Sequence, residues 1–162
     1  MKTLLLLRHA KSSWDSPELF DFDRPLNKRG LKQAPLMGQF MAKENLLPNL
    51  IITSTAKRAT ETTELLVKHS HYKGNLQTEE KIYQASVETL LKIIKNAPDK
   101  TNTLLIIGHN PGLELLAQAL IHQSLMLKTC TLVKINLSVK KWKDIEPKEK
   151  ATLEYIWKAD EL

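Results

Sequence analysis

A single cysteine, Cys130, rules out a disulfide within the chain and suits a reducing cytoplasm. Long apolar runs are also missing, since nothing approaches the roughly 20 apolar residues that span a bilayer. The opening "MKTLLLLRHA" imitates a secretory leader, but its apolar run stops at Arg8. That is short of the roughly 7–15 residues such a leader needs, and no small-residue cleavage site follows. We read it as the first strand of a cytoplasmic protein with no membrane association. Aromatic residues are scarce, at 6 % of the chain. A nucleic-acid binder would interleave aromatics with a basic stripe, so the net charge of +6 reads as a solvated, lysine-rich surface and not as a nucleic-acid site. No repeat, low-complexity tract or linker interrupts the 162 residues, and 1–162 is expected to form one domain around one core, acting as a monomer.

Metal-binding patterns are absent too. There is no HExxH, no paired Cys-x-x-C and no carboxylate cluster at ligand spacing, so neither a metal nor another cofactor is expected. His69 and His71 lie two apart at a helix end, point away from each other and read as surface residues. Arginine is the informative scarcity. Twenty lysines carry the general charge, against four arginines: Arg8, Arg24, Arg29 and Arg58. An arginine offers a planar, permanently charged fork that grips phosphate or carboxylate oxygens two at a time. Chance placement under a codon bias is the plain alternative.

What is present is an alternation of strands and helices. "TLLLL" (Thr3–Leu7) is a short continuous apolar run, as in a strand covered on both faces. A long loop then runs to about Leu26. Asn27 can cap a helix over Lys28–Glu44, with Pro35 inside it expected to bend it. "NLIITS" (Asn49–Ser54) is a second strand, followed by a helix over Lys57–His69. "GNLQTEEKIY" reads as a turn with a short strand, and Val87–Asn96 as a helix ended by Pro98. "NTLLIIGHN" (Asn102–Asn110) is a further strand, and Pro111 suits the first turn of a helix over Pro111–His122. Cys130–Leu137 and Thr152–Lys158 read as strands paired in a hairpin around a solvated turn, "VKKWKDIEPKEKA". The pattern predicts a three-layer α/β/α sandwich with a mostly parallel central sheet and a C-terminal antiparallel hairpin.

In such a sheet, ligands sit beyond the carboxyl ends of the strands. Three strand ends carry polar residues there: Arg8-His9, then "STAKRATET" with Arg58 in the first turn of a helix, then Gly108-His109-Asn110. If these strands are neighbours, two arginines and two histidines meet in one pocket. That is a strong anion site, and a phosphoryl group is its natural occupant. A neutral histidine there can act as nucleophile while the arginines offset charge on the phosphoryl oxygens. Each piece also has an ordinary reading. The histidines can be structural, Gly-His-Asn-Pro-Gly can be a strand-to-helix turn, and Arg58 can be a surface charge at a helix end.

These residues resemble the histidine phosphatase superfamily (phosphoglycerate mutase-like). "LLLLRHAKSSW" is similar to its R-H-G signature, with Ala10 in place of glycine. "DFDRPLNKRG" is similar to its D-x-P-L-T-x-x-G segment, "TSTAKRATETTEL" to S-P-x-x-R-A-x-x-T-A, and "LLIIGHNPGLELL" to its Gly-His segment. The order and spacing agree from Met1 to about His122. The short chain, "RHAKSSW" and "GHNP" most resemble the SixA-like branch, named for a phosphohistidine phosphatase. The resemblance implies that His9 is the nucleophile and that Arg8, Arg58 and His109 form the phosphate pocket without a metal. His109 would be cationic there or donate a hydrogen bond. Asn110 and Ser54 are expected to add hydrogen bonds to phosphoryl oxygens, with backbone capping as their alternative. Arg24 is expected to brace the first loop through Asp15 or Asp23.

The chain departs from the family at the general acid. Candidates are Glu79, Glu80, Glu88, Asp15 and Asp23; Glu88 is taken first, and none stands out. Imidazole is a far better leaving group than an alkoxide, so phosphohistidine could be cleaved without a dedicated acid. No insertion is long enough for a lid, which favours a protein substrate. The leading expectation is therefore a metal-independent phosphohistidine phosphatase acting on a phosphorylated protein. A small phosphatase for phosphate esters and an inactive phosphoprotein-binding module remain the alternatives.

Overall fold

The four leucines of the opening run alternate between two cores. The computed structural model describes residues 1–162. In it, Leu4 and Leu6 of β1 (Lys2–Arg8) face one apolar cluster, and Leu5 and Leu7 face another. Successive side chains of a strand point to opposite faces, so an uninterrupted apolar run means both faces are covered. Burying each leucine side chain contributes about 1.5–3 kcal/mol.

Helices α1 (Lys28–Lys43) and α2 (Lys57–Ser70) cover one face, supplying Ala34, Met37, Met41, Ala59 and Leu66. Helices α3 (Val87–Lys95) and α4 (Gly112–Ile121) cover the other through Leu90, Ile94, Leu113 and Leu116. Between them lies a six-stranded sheet in the order β3-β2-β4-β1-β5-β6. Strands β2 (Leu50–Thr53), β3 (Asn75–Thr78) and β4 (Thr103–Gly108) run parallel to β1, whereas β5 (Thr131–Leu137) and β6 (Thr152–Lys158) form an antiparallel hairpin. This is the expected three-layer α/β/α arrangement.

Three local expectations change. Helix α4 starts at Gly112, one residue after the expected Pro111, which caps it. Strand β4 stops at Gly108 and leaves His109 and Asn110 beyond the sheet edge. The turn between β5 and β6 is not simply solvated: Trp142 and Ile145 are buried in the core, and the Trp142 indole donates to Thr101 O at 2.8 Å. A large indole buries well once its N–H has an acceptor, and the surrounding lysines hide that pattern in the sequence.

Register places the site. Arg8 pairs with Gly108 across β1 and β4, and Thr53 pairs with Ile107 across β2 and β4. The ladder continues one step further, with His9 N–H donating to Gly108 O and Ser54 N–H to Ile107 O, both at 3.0 Å. Three adjacent central strands therefore end at one level. The long loop from Lys11 to Leu26 is pinched at its neck by a bridge between Ser12 and Leu26. Asn27 N–H donates to Lys11 O there, and a Cβ at Gly30 would lie 2.1 Å from that same oxygen. Only glycine lets the first turn of α1 approach the loop so closely.

Candidate active site

Beyond the strand ends lies a cavity of about 470 Å³, lined among others by Arg8, His9, Arg58, His109 and Asn110. The rings of His9 and His109 stand 5.2 Å apart, centroid to centroid. His9 Nδ1 lies 2.7 Å from the carbonyl oxygen of Ala10. A carbonyl only accepts, so Nδ1 carries the proton and Nε2 keeps a free lone pair. Arg58 Nε donates to that Nε2 at 3.3 Å. Burial, then the neighbouring His109, Arg58 and Arg8, push the His9 pKa down to about 3, against the upward pull of the Ala10 carbonyl. His9 is thus a neutral imidazole with its lone pair directed at an arginine, the state a nucleophile requires.

His109 is neutral as well. Burial and the charges of Arg58 and Arg8 lower its pKa to about 4, with Asp21 opposing them. Of the two states expected for His109, a cation or a hydrogen-bond donor, the lowered pKa favours the neutral donor. Its Nε2 lies 2.7 Å from Ser54 Oγ. Ser54 is fully buried and does not line the cavity; of its two expected roles the backbone-capping one is present, with Ala56 N–H donating to Oγ at 3.2 Å, and the same Oγ supports His109. Asn110 lines the cavity, but its amide nitrogen donates to Leu127 O and Glu114 Oε2, at 2.8 and 3.2 Å. Its donors tie down the loop before β5 and are not turned toward an anion. Arg8 is anchored to the same loop, with Nη1 donating to Leu127 O at 3.1 Å. Four buried polar side-chain atoms have no protein partner, Arg8 Nε, His109 Nδ1, Asn110 Oδ1 and Thr131 Oγ1, and the first three belong to residues that line this cavity. Buried polar atoms are otherwise almost always paired, so their clustering marks a ligand site.

No expected acid lines the cavity. Glu88 is exposed in the first turn of α3, Glu80 is exposed, and Glu79 lines a separate groove beside Ile93 and Pro98. Asp15 and Asp23 are exposed on the first loop, outside the cavity. The one carboxylate that lines it is Asp21, which sequence reasoning missed. Arg58 Nη2 donates to Asp21 Oδ2 at 3.0 Å and Nη1 to its backbone carbonyl at 2.7 Å. The Tyr83 hydroxyl donates to Oδ2 at 2.6 Å, and Arg24 Nε to Oδ1 at 3.1 Å. Partial burial pushes the Asp21 carboxyl up, but Tyr83, Arg58 and Arg24 outweigh it and hold it down at about 2. Arg24 also bonds Ser12 Oγ and Ser13 O, so it does brace the loop, but through Asp21 and not through Asp15 or Asp23. The available signal was the i,i+3 spacing of Asp21 and Arg24 within "DFDR".

No three His, Cys, Asp or Glu side chains are grouped so as to hold a metal ion. No helix is long and apolar enough to cross a membrane.

Residues 4–86 match the model of the histidine phosphatase superfamily, branch 1. An uncharacterized, chloroplastic protein of Arabidopsis thaliana is 33 % identical over 153 residues, spanning 88 % of this chain and 70 % of that protein. The "putative phosphohistidine phosphatase SixA" of Agrobacterium tumefaciens superimposes with a TM-score of 0.82 at 26 % identity, over 96 % of this chain and 97 % of that one. The protein histidine phosphatase SixA complexed with tungstate shares the fold at the same TM-score and 16 % identity, over 98 % of each chain. With the matched segment ending just past Tyr83 and the fold shared along nearly the whole chain, this protein belongs to branch 1 of the histidine phosphatase superfamily, among its SixA-like members.

Proposed function

We propose that this phosphatase removes phosphoryl groups from phosphohistidine on a protein, without a metal, through a phosphorylated His9. The observation that carries the choice of substrate is the state of Asp21. The only carboxylate lining the cavity accepts from Arg58, Tyr83 and Arg24, and these three donors favour its ionised form, which makes it a poor proton donor. An ester would release an alkoxide and needs a proton. Phosphohistidine needs no acid at the breaking bond: its distal ring nitrogen takes a proton from water, and the ring departs as neutral imidazole.

The residues fit that chemistry. His9 Nε2 attacks phosphorus, the P–N bond of the substrate breaks, and its electron pair leaves with the imidazole. Arg58 and Arg8 offset the charge on the phosphoryl oxygens. The phosphorylated His9 keeps its Nδ1 proton on the Ala10 carbonyl. When water attacks phosphorus, His9 therefore also departs as a neutral imidazole, and inorganic phosphate is released. The rim suits a macromolecular substrate, since Trp14 and Phe20 of the first loop are 72 % and 81 % exposed and Trp14 lines the cavity.

The test is phosphate release, with chelator present, from a phosphohistidine-bearing protein and from an alkyl phosphate, each compared with His9→Ala. Preference for phosphohistidine that the variant abolishes is the expected result. Equal or faster turnover of the alkyl ester would replace this substrate with a phosphate ester and make Asp21 a proton donor.

A further inference from the structure

Resting on the phosphatase reading of this cavity, we infer that Ser54 sets the tautomer of His109, placing its one ring proton on Nδ1 as a hydrogen-bond donor for the phosphoryl group. Ser54 is completely buried, and its Oγ has two neighbours within hydrogen-bond distance. Ala56 N–H donates to it at 3.2 Å, which uses a lone pair. His109 Nε2 lies at 2.7 Å. The hydroxyl proton has no acceptor except that ring nitrogen.

Two assignments are open. If His109 carried its proton on Nε2, it would donate to Ser54. The serine proton would then be orphaned in a site closed to solvent, and Nδ1 would keep a bare, unpaired lone pair within a residue that lines an anion pocket. Two faults would follow from one choice. If Ser54 donates to Nε2, the hydroxyl is satisfied and the ring proton moves to Nδ1. Nδ1 is buried without a protein partner, in a residue that lines the cavity beside the equally unpartnered Arg8 Nε. Buried polar groups that stay unpaired are rare, and a donor in an anion site becomes paired when its ligand arrives. The lowered pKa of His109 agrees, because a neutral ring must choose one nitrogen.

The position of Ser54 follows from the sheet. It is the first residue beyond β2, and its N–H donates to Ile107 O of β4. β2 thus delivers a hydroxyl to the back of a histidine that β4 carries. Ser54 is a positioning residue: it acts on the substrate only through His109.

The first measurement is a long-range proton–nitrogen correlation spectrum of the wild-type protein labelled with nitrogen-15 in histidine, near neutral pH. His109→Gln identifies its signals among the five histidines. The expected result is a protonated Nδ1 and an unprotonated Nε2 at His109. Ser54→Ala should populate the other tautomer and weaken inorganic phosphate binding by about tenfold, the size of one charge-assisted hydrogen bond. Ser54→Thr, which keeps the hydroxyl, should restore both. A wild-type His109 protonated on Nε2 would overturn the inference, and so would a Ser54→Ala protein with unchanged tautomer and phosphate affinity. Neither readout needs turnover, so a protein inactive on every phosphate compound yet showing the Nδ1–H form would refute the enzyme reading alone.

Discussion

The floor and the wall of the cavity are built on different terms. The floor consists of His9, Arg58 and His109, all buried and fixed by strand ends or a helix start. The wall is the Lys11–Leu26 loop, closed at its neck but exposed toward its tip, from Trp14 to Phe22. The floor is desolvated, and both its histidines are neutral. The wall presents a charged carboxylate and open aromatics. Bond-making groups need fixed geometry and low dielectric, while a surface that meets a partner need only be accessible. The two regions touch through Arg58, which donates to His9 of the floor and to Asp21 of the wall.

The sharpest way to break the comparison is to change Arg58. Lysine keeps the charge but cannot reach His9 Nε2, Asp21 O and Asp21 Oδ2 together. Arg58→Lys should lower kcat/KM by about 100-fold or more, read by phosphate release. A loss below about threefold would mean that charge alone suffices and that the link between floor and wall is incidental.

The buried state of the floor also predicts a pH dependence of stability. In the unfolded chain, His9 and His109 take protons as pH falls through about 6.5. In the folded chain they refuse them until about 3 and about 4. The unfolded state then binds more protons, so stability falls as pH drops through this window, by up to about 1.4 kcal/mol per pH unit for each histidine. Asp21 acts lower: its contribution is complete above its unfolded pKa of about 4 and disappears only as pH falls through about 2. Denaturant titrations between about pH 7 and pH 5 should show this slope, and His109→Gln should roughly halve it. A flat profile would mean that the histidines are as solvated as the wall.

Asp21 competes with an incoming anion for Arg58. Asp21→Asn removes the repulsion and should tighten inhibition by orthovanadate or phosphate by up to about tenfold. Weaker inhibition would instead make Asp21 a brace that holds Arg58 in place.

The smallest effect belongs to the rim. Trp14 stacks on the Arg24 guanidinium, 3.5 Å from ring centroid to Cζ, and is otherwise open. Trp14→Ala should raise KM for a phosphorylated protein by about three- to tenfold and leave a small phosphoramidate nearly unaffected. Equal losses on both substrates would assign Trp14 to bracing Arg24 and not to partner contact.

Much of this site could be read in the sequence, and the rest could not, for identifiable reasons. Period and composition marked the strands, because a run such as Leu4–Leu7 has no comfortable place except a strand covered on both faces. Polar residues immediately after such runs marked Arg8, His9 and His109, since nothing in a buried strand explains them. Arg58 was visible as one of four arginines among many lysines. Asp21 was not, because an acidic residue in a polar loop is ordinary until its three partners are known, and Arg24, Arg58 and Tyr83 lie 3, 37 and 62 residues away. Ser54 was found with two readings, and its Oγ does accept from the backbone of Ala56; its second contact, with His109, could not be read because side-chain direction depends on packing. The sequence by itself determined the alternation of elements and the chemical types that gather at the strand ends, for those depend on local periodicity and on desolvation. Only the tertiary structure decided which arginine meets the free nitrogen of His9, which carboxylate faces the cavity and what stands behind His109. Those depend on hydrogen bonds of 2.6–3.3 Å between residues far apart in the chain, and only the fold brings such residues together.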